Sequence, residues 1–234
     1  MNRFLCIHGH FYQPPRENPW LEAVEVQDSA YPYHDWNERV TAECYAPNTA
    51  SRILDKDNRI ERIVNNYSRI SFNFVPTLLA WLASHRPEVY AAVLEADRES
   101  IGRFGGHGSA LAQPYNHAIL PLANRRDKKT QIHWGLRDFE RRFGRRAEGV
   151  WLPETAVDLE SLDLLAEAGI RFTILAPRQA KTEAVDTTVP YTVALPSGRT
   201  IAVFFYDGAT SQAVAFEGLL SSGERFAYSA KTSK

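Results

Sequence analysis

The chain has 234 residues and nearly balances 27 Lys and Arg against 28 Asp and Glu, for a net charge of −1 and a sequence pI near 6.7. That balance gives no electrostatic footing for nucleic acid or for an anionic membrane surface, and 44% hydrophobic with 24% charged residues excludes a disordered chain. No run of about 18 apolar residues could span a bilayer, the apolar stretch in "MNRFLCIH" is too short for a signal peptide, and two cysteines make no disulfide framework, so a soluble, cytoplasmic protein is expected.

In chain order, "RFLCIH" reads as a short buried strand bounded by Gly9, with Cys6 as a buried thiol. Residues 11–44 are irregular and rich in proline, aromatic and polar residues, the mark of a long functional loop. "NTASRILDKDNRIERIVNNY" carries apolar residues at helical spacing behind Asn48, a possible cap, and predicts a helix. "RISFNFVP" is a second strand that stops at Pro76; "TLLAWLASH" and "PEVYAAVLEADRES" follow as helices, the latter with Pro87 in its first turn. "IGRFGGHGSALAQPYNHAILPL" begins as a strand and breaks into a glycine-rich polar loop. "KKTQIHWGLRDFERRFGRR" is a helix ended by Gly144, with its basic run on a solvated face.

"AEGVWLPE" is another strand, "LESLDLLAEAGI" a helix stopped by Gly169, and "RFTILAP" a strand. "VPYTVALPSGRTIAVFFYDG" forms a hairpin around "PSG", and "SQAVAFEGLLSS" a last helix. Strands alternating with helices predict parallel βαβ units, hence an α/β fold, and no linker divides residues 1–234 into separate domains. In such folds the reactive groups gather at the carboxyl ends of strands.

His8 and His10 close the first strand, His107 follows the third, and Glu154 ends "GVWLPE". The histidine pair suits a metal, hydrogen bonding in a substrate pocket, or a structural role. Asp35, Glu38, His34, His107 and His117 lack ligand spacing around it, so no metal is expected. Glu154 fits a first-turn helix acid as well as a nucleophile or acid. Asp207 fits an Asp-Gly turn, and His117 either a core or a pocket wall. Phe11, Tyr12, Trp20, Tyr31, Tyr33, Trp36, Tyr115, Trp134 and Trp151 lie near polar clusters and suit either stacking on sugar faces or core packing. "GRFGGHGS" lacks the Gly-Lys-Ser/Thr of a phosphate loop and the glycine spacing of a dinucleotide site, so no nucleotide and no other cofactor is expected.

Together these motifs resemble glycoside hydrolase family 57, retaining α-glucan enzymes that include amylases, 4-α-glucanotransferases and branching enzymes. His8-Gly9-His10 with Gln13-Pro14 resembles the family's His-x-His-Gln-Pro motif, and "SFNFVPTLLAWL" and "YNHAILPL" resemble later segments. "GVWLPETAVDLESLDLLAEAGIRFTIL" resembles the motif that carries the nucleophile. The likeness runs from about residue 4 to about residue 220 and is strongest to a branch beginning "HGHFYQPPRENPW". It implies a (β/α)7 barrel of the glycoside hydrolase/deacetylase type, here incomplete, with Glu154 as nucleophile. His8, His10, Gln13, His107, His117 and Trp151 would bind an α-glucan or oligosaccharide, which is hydrolysed or transferred.

Three departures accompany it. Phe11 and Tyr12 separate His10 from Gln13, "GHGSALAQ" has no glutamate, and Asp207 lacks the Asp-Gly-Glu context of the family's acid/base. The acid/base is therefore either a residue expected beyond position 234, the chain being a truncated member, or Asp207. An open barrel would expose strand edges and favour a homo-oligomer. Two other readings use the same residues: a non-catalytic α-glucan-binding barrel, and a metal-dependent polysaccharide deacetylase-like enzyme, the latter opposed by the lack of an Asp-Asp pair after the first strand.

Overall fold

A computed structural model of the protein describes residues 4–181 and 184–232. They group into two compact units, one of Cys6–His117 with His133–Ala147, the other of Ala118–Ile132 with the chain from Glu148 onward. No described helix is long and apolar enough to cross a membrane.

In the N-terminal unit strand β1 (His8–Phe11) runs parallel to a later strand through residues 71–74. The expected strand starts later than its apolar run: Phe4 and Leu5 are exposed, and so is Cys6, which is not the buried thiol its neighbours predict. Ile7 O accepts from Ser71 N at 2.9 Å and ties this lead-in to the sheet.

The loop after β1 holds more structure than its composition announces. Strands β2 (Glu17–Asn18) and β3 (Ala23–Val24) pair antiparallel. Helix α1 (Trp36–Val40) is capped by Asp35, whose Oδ1 accepts from the amides of Asn37 and Glu38. A π turn at Thr41–Tyr45 leads on into α2 (Ala46–Thr49).

The segment read as a helix at 48–67 is instead the hairpin β4 (Ser51–Leu54) and β5 (Ile60–Val64). Asp55 folds the turn by accepting from the amides of Asp57 and Arg59, and Asn58 takes a left-handed φ of 59°. β-Branched residues flanking an Asp/Asn turn favour a hairpin over a helix despite the apolar spacing.

Strand β6 (Ser71–Phe74) buries Phe72, Asn73 and Phe74, as a parallel strand covered on both faces does. Helix α3 (Pro76–His85) follows at once, and α4 (Pro87–Arg103) runs through residues 101–103, which the sequence suggested as a strand. The chain then returns alongside β6 in a parallel bridge between Phe72 and Ala110.

This return is fixed by the carboxylate of Asp97, which is fully buried. It accepts Arg145 Nε and Nη2 at 2.8 Å each and the amide of Ala110 at 2.8 Å, while Arg145 Nη2 also donates to Ala110 O. Helix α5 (Arg125–Phe143) ends at Gly144, whose φ of 68° makes the predicted stop.

In the C-terminal unit β7 (Gly149–Trp151), β8 (Phe172–Leu175), β9 (Tyr191–Ala194) and β10 (Thr200–Phe205) form one sheet in the order β7-β8-β10-β9. The first three are parallel, and β9 joins β10 as the predicted hairpin, with Gly198 at φ 84° in its turn. Helix α6 (Leu159–Glu167) is capped by Asp158, and α7 (Gly208–Phe216) and α8 (Gly223–Thr232) close the chain. Val150, Leu152, Leu162, Leu165, Ile201 and Val203 form the core, and Lys128, 2% exposed, bonds to Asp158 and Glu160. The described hydrogen-bonded ladders thus form separate sheets of α/β type and trace no single closed barrel.

Replacing Arg145 by Met leaves Asp97 buried and unpaired, and the expected loss is about 3–5 kcal/mol of unfolding free energy. Urea denaturation measures it; a loss under about 1 kcal/mol would show that the fork does not hold the 108–113 segment.

Candidate active site

His8 and His10 are two residues apart on one strand and so face the same side of the sheet. The parallel register sets Ser71 beside His8 and Asn73 beside His10. Asn73 is fully buried and carries the network. Its side chain lies 3.1 Å (Oδ1) from His8 Nε2, 3.0 Å (Nδ2) from His10 Nδ1 and 2.5 Å (Nδ2) from Gln113 Oε1. Ser71 Oγ is 3.0 Å from His8 Nδ1, and His10 Nε2 is 3.1 Å from His117 Nε2.

His10 Nδ1 lies 3.2 Å from Asn73 Oδ1 and 3.0 Å from its Nδ2, and with the shorter contact taken as the bond the protons are placed as follows. Ser71 Oγ–H donates to His8 Nδ1, and His8 Nε2–H donates to Asn73 Oδ1. The two amide hydrogens of Asn73 go to Gln113 and to His10 Nδ1, and His10 Nε2–H donates to His117. Both strand histidines are then neutral Nε2–H tautomers. Burial, opposed by the bond to Asn73 and reinforced by a neighbouring imidazole, pushes the pKa of each down to about 4.

His117 sits at a left-handed φ of 56° in the turn after Pro114. Its ring stacks on Tyr12 at 3.9 Å and 16° and on His10 at 5.2 Å and 17°. Gln113 is 3% exposed, yet its Nε2 has no protein partner. Such a buried orphan donor costs about 1–3 kcal/mol, a cost that a bound hydroxyl or water removes.

Two expected site residues stand elsewhere in this unit. Gln13 Oε1 accepts Arg16 Nη2 at 2.6 Å, and Gln13, Pro14 and Pro15 line a crevice with Asn37, Thr77 and Trp81. His107 follows helix α4 rather than a strand, in an exposed turn. It precedes Ala110, whereas Gln113, which reaches Asn73, follows it, so His107 enters at the opposite end of the parallel bridge.

In the C-terminal unit the strand that leads to Glu154 ends at Trp151. Leu152 and Pro153 are buried, and Glu154 lies exposed in a 3₁₀ turn with φ 54° and ψ 19°, followed by Thr155 at φ 53°. Two successive left-handed residues without glycine cost of order 1–3 kcal/mol each and persist only where surroundings hold them. Here Gln179 is the clamp: its Nε2 donates to Thr155 O and its Oε1 accepts Ala176 N at 2.9 Å, tying the turn to the end of β8.

Glu154 is not a first-turn acid of α6, because Asp158 caps that helix and Glu160 occupies its first turn. Asp207 is consumed as a cap, its Oδ1 accepting Thr210 N at 2.6 Å at the start of α7. Among the described residues no cluster of three or more His, Cys, Asp or Glu could hold a metal ion.

In one unit the structure therefore unites His8, His10 and His117 with Ser71, Asn73 and Gln113, and in the other it ties Gln179 to the turn of Glu154; none of these four partners was a candidate from sequence. A signal for Asn73 was present: an amide between two phenylalanines in an otherwise apolar strand must find a partner.

A family model for glycosyl hydrolase family 57 matches residues 5–233. A curated relative, the 4-alpha-glucanotransferase of Thermococcus litoralis, is 28% identical over 107 residues, 46% of this chain and 15% of its own length. The crystal structure of 4-alpha-glucanotransferase from that organism covers 92% of this chain and 30% of its own, at TM-score 0.64 and 20% identity. A GH57-type branching enzyme from Pyrococcus horikoshii covers 91% and 48% at TM-score 0.56 and 16% identity. The alpha-amylase AmyC of Thermotoga maritima covers 92% and 47% at TM-score 0.56 and 17% identity. The chain thus spans less than half the length of each of these relatives.

With both strand histidines near 4 when folded and 6.5 when unfolded, the unfolded chain binds more protons between those values. Stability is expected to be complete above about pH 6.5 and to fall as pH drops towards 4, by up to roughly 1.4 kcal/mol per pH unit for each histidine. Urea titrations of wild type and His8→Asn at pH 4.5 and 7 check this. An equal pH dependence in both proteins would contradict the half-buried neutral imidazole at position 8.

Proposed function

The chain belongs to glycosyl hydrolase family 57, and from that premise we propose that it is a retaining α-glucan-active enzyme with Glu154 as its nucleophile. The observation that carries the reading is the left-handed turn after β7, which presents an exposed carboxylate at the carboxyl end of a parallel strand. That is where α/β folds place reacting groups, and strained backbone of this kind accumulates at reacting residues. The fold class we propose is the (β/α)7 barrel, formed as a single catalytic-type domain.

In this reading the Glu154 carboxylate attacks the anomeric carbon of an α-linked glucose and the glycosidic oxygen leaves with its bonding electrons. A second carboxyl group, about 5–5.5 Å from the first, protonates that oxygen. Water or the hydroxyl of another sugar then displaces Glu154, giving hydrolysis or transfer respectively. Asp207 Oδ1 caps helix α7, and the acid/base is either Asp207 or a residue outside the described chain. Gln179 acts as a positioning residue by holding the turn.

In this reading His117 and the Gln113 Nε2 donor meet the sugar hydroxyls, and His8 and His10, whose ring nitrogens are both engaged in the network, hold these groups in position. Neutral imidazoles and amides both donate to and accept from a hydroxyl without demanding a charged partner. Trp151, at the end of β7, offers its ring to a sugar face.

The test uses α-glucosyl fluoride, whose leaving group needs little protonation, so that the nucleophile is read independently of the acid/base. Wild-type chain should release fluoride and Glu154→Gln should lose at least about 10³-fold in that rate. Turnover retained in Glu154→Gln would overturn the nucleophile, and no turnover by either protein on any α-glucosyl donor would overturn the enzymatic reading in favour of a glucan-binding one.

A further inference from the structure

Helix α5 carries an aromatic groove that none of the chemistry above uses. Trp134, Arg137, Asp138 and Arg141 fall at i, i+3, i+4 and i+7, one face of the helix. With Tyr115 and Glu140 they line an open groove of about 630 Å³. The rings of Tyr115 and Trp134 meet edge to face, 5.9 Å apart at 84°, and Trp134 is 51% exposed.

The groove is rigidly built. Gly135 packs against the Gln113 carbonyl and the Tyr115 amide so closely that a Cβ would collide with that carbonyl. The two aromatic walls are therefore fixed to one another, and the loop that supplies Tyr115 ends at His117 of the histidine cluster. Along the rim Arg137 pairs with Glu140 at 3.3 Å and Asp138 with Arg142 at 2.8 Å.

Its chemistry selects a neutral polyol. Two arginines and two carboxylates cancel, so a polyanion meets as much repulsion as attraction, and four charged side chains do not suit an apolar peptide. Sugar hydroxyls can accept from the arginines and donate to the carboxylates, while the apolar face of a glucose ring lies on an exposed indole. We propose that this groove is an accessory α-glucan subsite, which holds glucose units of a longer chain beyond those bound at the histidines. The inference rests on the α-glucan reading above.

Calorimetric titration of the full chain with maltoheptaose and with maltose separates the possibilities. Trp134→Ala should weaken maltoheptaose binding roughly 5- to 50-fold, the loss typical of removing a central aromatic anchor, and leave maltose affinity within about threefold. Trp134→Phe should keep most of the affinity, and Arg141→Ala, at an exposed position, should weaken maltoheptaose about fivefold without touching the fold. Wild-type affinity for maltoheptaose in folded Trp134→Ala and in Arg141→Ala would overturn the groove while leaving the α-glucan reading intact. Failure of the wild-type chain to bind either sugar would overturn both.

Discussion

A single buried amide, that of Asn73, decides what the histidines of this protein can be. It can donate only two hydrogens and accept at one oxygen, and the strand register places three groups within its reach. Once its Oδ1 is committed to His8, both hydrogens are committed to His10 and Gln113, and each strand imidazole is held in one neutral tautomer. The register is strict because a slip of one residue would bring Phe72 or Phe74 opposite His10 and leave two half-buried imidazoles without these partners. Upstream of the amide stands the Arg145–Asp97 fork. It fixes the amide and carbonyl of Ala110, three residues before Gln113, and so sets where the third arm of the network lies.

The legibility of this arrangement in the sequence was uneven, for reasons specific to each segment. Helices α3, α5 and α6 and the β9–β10 hairpin follow from prolines at helix starts, glycines at helix ends and "PSG", all of which act locally. The β4–β5 hairpin was misread because Ile53, Ile60, Ile63 and Val64 satisfy helical spacing. The deciding signal was the four-residue turn Asp55–Asn58, where an Asx bond and a left-handed asparagine outweigh periodicity. "IGRF" extends helix α4 because nothing stops it before Gly105, which takes the left-handed φ that ends it.

For the site, the motif histidines were legible and their partners were not. His8 and His10 announce themselves at the end of an apolar run, whereas Asn73 and Gln113 acquire meaning only when β6 and the 108–113 segment come alongside. His107, singled out in a polar glycine-rich stretch, precedes the Ala110 bridge, whereas Gln113 follows it. The backbone of Glu154 could not be foreseen at all, since "PET" contains no glycine and left-handed geometry there depends on Gln179, 25 positions further on. Local rules describe elements; groups held against their own preferences are set by distant partners.

An uncharged network of this kind suits a ligand whose polar groups are hydroxyls, because the one donor it leaves unsatisfied, Gln113 Nε2, needs a neutral acceptor and no member requires a counter-charge. That is the link between the Asn73 network and the family's carbohydrate chemistry, and it can be read without any substrate. Nitrogen-15 NMR of the histidine side chains, recorded between pH 5 and 7.5, reports tautomer and charge directly. The account predicts that His8 and His10 remain neutral Nε2–H imidazoles throughout that range. Protonation of either ring above pH 5.5, or a population of the Nδ1–H form, would contradict it.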